Sequence, residues 1–307
     1  MGTSADLEAM VLPEEGTVVV RPVLGLTAYL ASPELWAREG ASRALDAVLE
    51  LLPADRLTTF TTSTLTTWRP LQILPGARIR EALSSWTLVS DQPRHFFSLR
   101  LADVANVPEF GFAYTEIDPT RATRSATREV TLPFNAPPAH LETLARALVG
   151  LGPLHGLVGG YAVRWNVLHQ RLAFQQIYLW ARRFLGIDVQ EAEVFAWKAP
   201  QALPGVSWLN WVPEPLLAGL ADRADGVASS EVKVEHLPGG ALVVAGAKPV
   251  LGDLNRMEFP RAYAAASSLL APLFPEEPPP FWGGFLLGDA TQRWYRRLID
   301  PEAWLQD

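Results

Sequence analysis

Glu231–Leu273 reads EVKVEHLPGGALVVAGAKPVLGDLNRMEFPRAYAAASSLLAPL, and its punctuation decides the fold class. From Glu231 to His236 charged and apolar residues alternate, the period of a strand with one face in water. Pro238-Gly239-Gly240 is turn chemistry, with two residues free to take positive φ. Ala241 to Ala247 is a short apolar run and reads as the more buried return strand of a hairpin. Lys248-Pro249 stops it, and Gly252-Asp253 makes a second turn. Pro260 stands at the first position of a helix, where its missing N–H costs nothing. Tyr263, Ala266, Leu270 and Leu273 line one stripe of that helix. The unit is a hairpin, a shaped loop and a packed helix, with no residue that is catalytic on its face.

Working outward, the rest of the chain shows the same mixture. Thr17 to Tyr29 is strand-like, with Pro22 forcing an edge position or a bend. Ser32-Pro33 opens a helix that carries Leu45, Val48, Leu49 and Leu52 at helical spacing, with Gly40 as a dividing point. Leu57 to Trp68 is rich in Thr and suits a strand or ribbon, whereas Leu71 to Trp86 keeps no clear period. His95 to Leu101, Gly111 to Ile117 and Arg128 to Phe134 read as three strands between Pro and Asp-Pro breaks. Pro137-Pro138 leads into a helix with Leu141, Leu144, Ala145 and Leu148 on one side, ended by Gly150 and Gly152. His155 to Trp165 holds Gly156, Gly159 and Gly160, a strand with close backbone approach. Gln170 to Leu185 is the clearest helix: Ile177, Trp180, Ala181 and Phe184 recur on one face, Arg182 and Arg183 suit its C-terminal dipole, and Gly186 caps it. Ile187 to Gln190 is extended, Gly205 to Val212 is a short apolar strand, and Pro213 to Leu220 is a helix. Pro275 to Pro280 is a linker, and Thr291 to Leu298 is a last helix carrying Arg293, Arg296 and Arg297.

Strands and helices come in runs without regular βαβ alternation, so the fold expected is α+β, a mainly antiparallel or mixed sheet with packed helices. The expected organisation is a loose leader over 1–15 and one large domain over 16–307, with two subdomains dividing near 135–155. The 307 residues are 49% hydrophobic and 19% charged, a globular composition. Cysteine is absent, which excludes disulfides, thiolate metal sites and a cysteine nucleophile. The amino terminus has neither a basic region nor an apolar core of signal-peptide length, and Asp6 breaks a myristoylation pattern. The expectation is a cytoplasmic protein that does not enter membranes. A net charge of −7 argues against nucleic-acid binding, which needs a basic surface, and suits a basic protein partner.

The sequence carries few candidates for chemistry. His95, His140, His155, His169 and His236 are scattered without metal-ligand spacing. Gly205-Val206-Ser207-Trp208-Leu209 has only the first half of a nucleophile elbow, because Leu209 replaces the glycine that lets the elbow turn. Gly246-Ala247-Lys248-Pro249 lacks the glycine and the Ser or Thr of a phosphate loop. Glu231-Val232-Lys233, with Asp222 and Asp225 upstream, has the parts of a magnesium nuclease: carboxylates to hold the ion and Lys to steady the attacking water. The same residues also fit a solvated strand face continued by Glu235, and short Glu-x-Lys matches are common by accident. Gly252-Asp253 and Gly288-Asp289 read as turns in which Asp bonds its own backbone.

Three blocks, in order, resemble the type VI secretion immunity proteins associated with VRR-Nuc nuclease toxins. The first is Arg183-Phe184-Leu185-Gly186-Ile187-Asp188-Val189, where Leu185 replaces the family's Pro. The second is Gly205-Val206-Ser207-Trp208-Leu209-Asn210-Trp211, with Asn210 for Thr. The third is Ala245-Gly246 with Pro249-Val250-Leu251-Gly252-Asp253-Leu254-Asn255, then Pro260 and Tyr263. The likeness covers roughly residues 155 to 300. It implies a non-enzymatic cytoplasmic antitoxin, without cofactor or metal, that binds and neutralises a cognate effector by occluding its active site. It also implies that Gly205, Trp208, Leu209, Gly246, Pro249, Gly252, Asp253, Pro260 and Tyr263 are folding determinants. For a nuclease with a basic groove, Glu214, Asp222, Glu276 and Glu277 are the carboxylates expected to face it, since they fall near Pro-rich breaks. Two other classes stay open: a hydrolase using Asp225, Glu231 and Lys233, and a scaffold component of a secretion apparatus.

Overall fold

A computed structural model describes residues 7–31, 41–51, 54–63, 65, 67–71, 96–117, 124–220, 231–281, 286 and 288–306. The helix start at Ser32-Pro33, Gly40, Leu52, most of Leu71 to Trp86, His95, Asp222 and Asp225 lie outside the described residues. In chain order the strands are β1 (Met10–Leu12), β2 (Thr17–Leu30), β3 (Thr59–Thr62), β4 (Arg69–Pro70), β5 (Phe96–Ala102), β6 (Gly111–Ile117), β7 (Ala126–Pro133), β8 (Leu154–Trp165), β9 (Leu209–Pro213), β10 (Val232–Leu237) and β11 (Gly240–Ala245). The described α-helices are α1 (Ala41–Leu51), α2 (Pro138–Leu151), α3 (Gln170–Arg183), α4 (Ala192–Phe195), α5 (Glu214–Leu217), α6 (Arg261–Leu270), α7 (Asp289–Arg296) and α8 (Pro301–Leu305).

All eleven strands join one sheet in the order β10-β11-β9-β8-β2-β7-β6-β5-β3-β4, with β1 added to β2. Every ladder is antiparallel, so the fold is α+β as the runs of like elements predict. The sheet is joined at its middle by the two longest strands, β2 and β8, paired from Val20↔Trp165 to Leu30↔Leu154. Glycine makes that seam close: a Cβ at Gly159 would stand 2.6 Å from Leu26 Cδ1, and one at Gly25 would stand 2.8 Å from Ala162 Cβ. Helix α2 lies over β2, β8 and β9, with α1 against α2 and β6; α3 packs on β2 and β8, and α6 on β11 and β10. The periodic residues Leu141, Leu144, Ala145 and Leu148 of α2 and Ile177, Trp180 and Ala181 of α3 are all buried. Each buried Leu or Ile contributes about 2 kcal/mol of apolar transfer. Among the described residues no helix is long and apolar enough to cross a membrane.

Several local expectations need correction. Pro22 sits in a central strand, not at an edge. It falls between the β7 ladder, which ends at Val23↔Pro133, and the β1 ladder, which begins at Val20, so the missing N–H meets a gap on one side. Gly186 does not cap α3, which ends at Arg183 with Phe184 in extended conformation. Its need is space: a Cβ there would stand 2.1 Å from the carbonyl oxygen of Val250. Of the hairpin glycines only Gly239 takes positive φ, at 88°. Gly240 is a strand residue whose absent Cβ leaves room for the Trp211 ring. The strand after Gly205 begins only at Leu209, Pro213 to Leu220 divides into α5 and a 3-10 turn, and Pro260 is the residue before α6. The last helix expected over Thr291 to Leu298 ends at Arg296, so Arg297 lies just beyond α7, and it is buried.

Candidate functional site

The three sequence blocks meet in one polar knot at the C-terminal side of the sheet. Arg183, in the last turn of α3, makes a two-pronged pair with Asp253: Nε donates to Oδ1 at 2.8 Å and Nη2 to Oδ2 at 2.7 Å. Asp253 also accepts the backbone N–H of Asn255 at 3.0 Å, the short local bond expected of an Asp after Gly. Arg183 first, then Asn255 N–H and Arg256, hold the Asp253 carboxyl below its ordinary pKa, against the opposing effect of burial. Main-chain bonds tie the first block to the third, Gly186 N to Leu251 O at 2.7 Å and Leu185 N to Gly252 O at 3.2 Å. Gly252 takes positive φ at 68°, and a Cβ on it would strike Pro260. The second block joins through Trp208, whose Nε1 donates to Gly246 O at 3.0 Å and whose O accepts from Ala245 N at 2.8 Å. The Tyr263 hydroxyl accepts from Val250 N at 3.3 Å. Leu209 is buried beneath, and Pro249 is buried in the loop between.

Asn210 of the second block and Arg297, outside the blocks, complete the knot. Asn210 is buried and brackets Ser207, accepting from its N–H at 2.8 Å and donating to its O at 2.9 Å. Arg297 donates to Leu185 O at 2.9 Å and to Trp294 O at 2.9 Å while its guanidinium lies 3.9 Å over the Trp294 ring. Burial lowers its pKa to about 10, with Asp188 opposing. Nothing local in the sequence marks this one of the basic residues near Thr291 to Leu298 as buried.

The carboxylates expected to face a partner lie elsewhere. Glu214 opens α5 at the end of β9 and is exposed, as are Glu276 and Glu277. The 3-10 turn Ala218–Leu220 after α5 packs on the turn Ala271–Leu273 that precedes Glu276. Glu214, Glu276 and Glu277 therefore belong to neighbouring segments, and Asp222 lies outside the described residues. Glu214 stands on the rim of an 870 Å³ groove walled by the end of α2 and the β10–β11 turn. Across the groove mouth Arg146 of α2 grips Glu235 of β10 at 2.6 and 3.0 Å and Glu142 at 2.9 Å.

Two further cavities hold charged side chains. One of 1040 Å³ beside the knot is lined by Glu231, Lys233, Lys248 and Arg256 among others. Lys233 pairs there with Glu235 at 3.1 Å, on a strand half wet on both faces, with Val234 44% exposed. The other, of 410 Å³, holds Glu191 beside the Glu129–Arg164 pair. Burial, then Glu129 and Glu193, push Glu191 up to about 8, and its Oε1 meets no donor among the described residues. Among the described residues no group of three His, Asp or Glu is placed to hold a metal ion.

A large antiparallel sheet braced by a polar knot, with grooves between its helices, defines a class of α+β protein already represented among solved structures. The Pseudomonas aeruginosa T6SS protein PA0821 shares 17% identity with the chain at a TM-score of 0.80, covering 97% of this chain and 89% of its own. At that identity the likeness speaks for the fold. No curated protein matches the chain. The family TsiV, described as type VI immunity for VRR-NUC, matches residues 79–298. The chain belongs to this family and is a type VI secretion immunity protein.

Proposed function

We propose that the protein acts without catalysis, in the cytoplasm, by binding a cognate VRR-Nuc effector tightly and covering its active site. The observation that carries this reading is the family match over residues 79–298. A nuclease must present a basic groove to its substrate. A chain of net charge −7 with Glu214, Glu276 and Glu277 exposed on adjoining segments supplies the complementary surface. Charge of this kind speeds encounter and fixes orientation more than it adds affinity. Tight neutralisation also requires an interface of ~1,600 Å² or more, far larger than three side chains.

The test is co-purification of the chain with the VRR-Nuc effector encoded beside it, together with survival of cells expressing that effector. A stable 1:1 complex that blocks DNA cleavage is expected. Cleavage that continues at stoichiometric excess of the chain would overturn the reading, and magnesium-dependent cleavage by the chain alone would replace it.

A further inference from the structure

We infer that the groove between the end of α2 and the β10–β11 turn receives an apolar side chain next to a Lys or Arg, on a loop of the cognate effector, and that Trp211 donates its indole N–H to that loop's backbone carbonyl. This rests on the immunity reading and places the contact surface. The groove encloses 870 Å³, and its walls include Val149, Leu154, Pro213, Leu216, Leu237 and Pro238. Such a lining favours an apolar guest.

Trp211 lines the groove from β9 and is 2% exposed, yet its Nε1 finds no acceptor among the described residues. Buried donors are nearly always satisfied, so one left unmet beside a cavity points to a missing acceptor. The contrast with other tryptophans is direct. Trp208 Nε1 donates to Gly246 O at 3.0 Å and Trp304 Nε1 to Ala181 O at 3.2 Å. Trp294 Nε1 is also unmet, but Phe281, Tyr295 and Arg297 cover its ring. Trp211 alone of the two lines one of the described cavities.

The rim decides the charge of the guest. Arg146 is committed to Glu235 and Glu142, and His155 Nδ1 is bonded to Ser125 Oγ at 2.8 Å. Glu214 is exposed and has no ion pair among the described residues. Helix α2 also ends here, with Val149 and Gly150 in the wall and no basic residue in its last turn. Its unneutralised carbonyl end adds negative potential. An apolar residue beside a cation matches both features, whereas an acidic peptide meets repulsion.

Two variants test this against the catalytically inactive effector by titration calorimetry, with thermal unfolding of each free variant as control. Trp211→Phe keeps a six-membered ring and removes the donor with its five-membered ring. Loss of the unmet donor offsets part of the small cavity left in the core, so its free form should melt within a few degrees of wild type, while its complex weakens about 5–10-fold. Gly150→Trp plugs the groove; a Cβ at Gly150 meets nothing within 4 Å, and affinity should fall about 100-fold or more. Wild-type affinity in both variants would overturn the groove assignment and leave the immunity reading standing. Failure of the wild-type chain to bind would overturn both. Self-association of the wild-type chain that Gly150→Trp abolishes would assign the groove to a second copy instead.

Discussion

The knot around Asp253 and the groove around Trp211 lie in the same half of the sheet and treat buried polar groups in opposite ways. In the knot Asp253 takes both prongs of Arg183, and Asn210, Trp208 and Arg297 all find partners. In the groove a tryptophan donor goes unmet, and an exposed carboxylate stands on the rim. Near-complete satisfaction marks architecture, because each bond fixes one chain segment against another; an exception in the knot is Ser207 Oγ, which meets no partner among the described residues. An unmet donor beside an apolar groove is what the proposed docking surface offers a partner. The family's recurrent blocks fall on the first kind of region except at Trp211, as expected if most of them report which fold this is rather than what it touches.

The sharpest way to break that contrast is to cut the knot. Asp253→Ala leaves Arg183 without its carboxylate and should cost about 4 kcal/mol in a denaturant titration, whereas Trp211→Phe should cost only about 1 kcal/mol. Because the Asp253 carboxyl titrates below its usual value in the fold, its contribution is present at neutral pH. It is lost as pH falls from the ordinary aspartate range through the lower folded value. That acid loss should vanish in Asp253→Ala. Gly186→Ala comes next: the new Cβ must displace the Val250 carbonyl, at a cost of about 3 kcal/mol.

Glu191 sharpens the comparison from the other half of the sheet. Its folded pKa of about 8 lies above the ordinary 4.5, so stability is full below pH 4.5 and declines as pH rises toward 8. Glu191→Gln should flatten that decline and gain about 2 kcal/mol at pH 8, read as a pH series of melting temperatures. The smallest effect belongs to the exposed carboxylates. Glu214→Lys combined with Glu276→Lys and Glu277→Lys should slow association with the effector about 10-fold at low salt, less at high salt, with unfolding unchanged.

The organisation over 16–307 as one domain is a separate proposal, supported by the β2–β8 ladder between halves. It predicts one cooperative melting transition, and two resolved transitions would sink it.

What was legible in the sequence was local. Gly111–Ile117 was bounded by Pro and Asp-Pro breaks and forms with those limits. The stripes of α2, α3 and α6 are buried as their periods require. What was illegible depends on distant chain. Gly186 reads as a helix stop until Val250 is seen against it. Pro22 reads as an edge or a bend until the gap between β1 and β7 is known. Arg297 reads as one more basic residue of a last helix until the carbonyls of Leu185 and Ile187, over a hundred residues earlier, are found to receive it. Trp211 stood in a recognised block, but no pattern states whether an indole N–H will be met.

Hydrogen–deuterium exchange on the free chain and on its complex with the inactive effector tests the central contrast most directly. The account predicts new protection at Trp211 to Leu216 and Leu237 to Gly240, with the amides of Gly186 and Asn255 slow in both states. New protection confined to Gly246 to Arg261, with Trp211 to Leu216 unchanged, would contradict it.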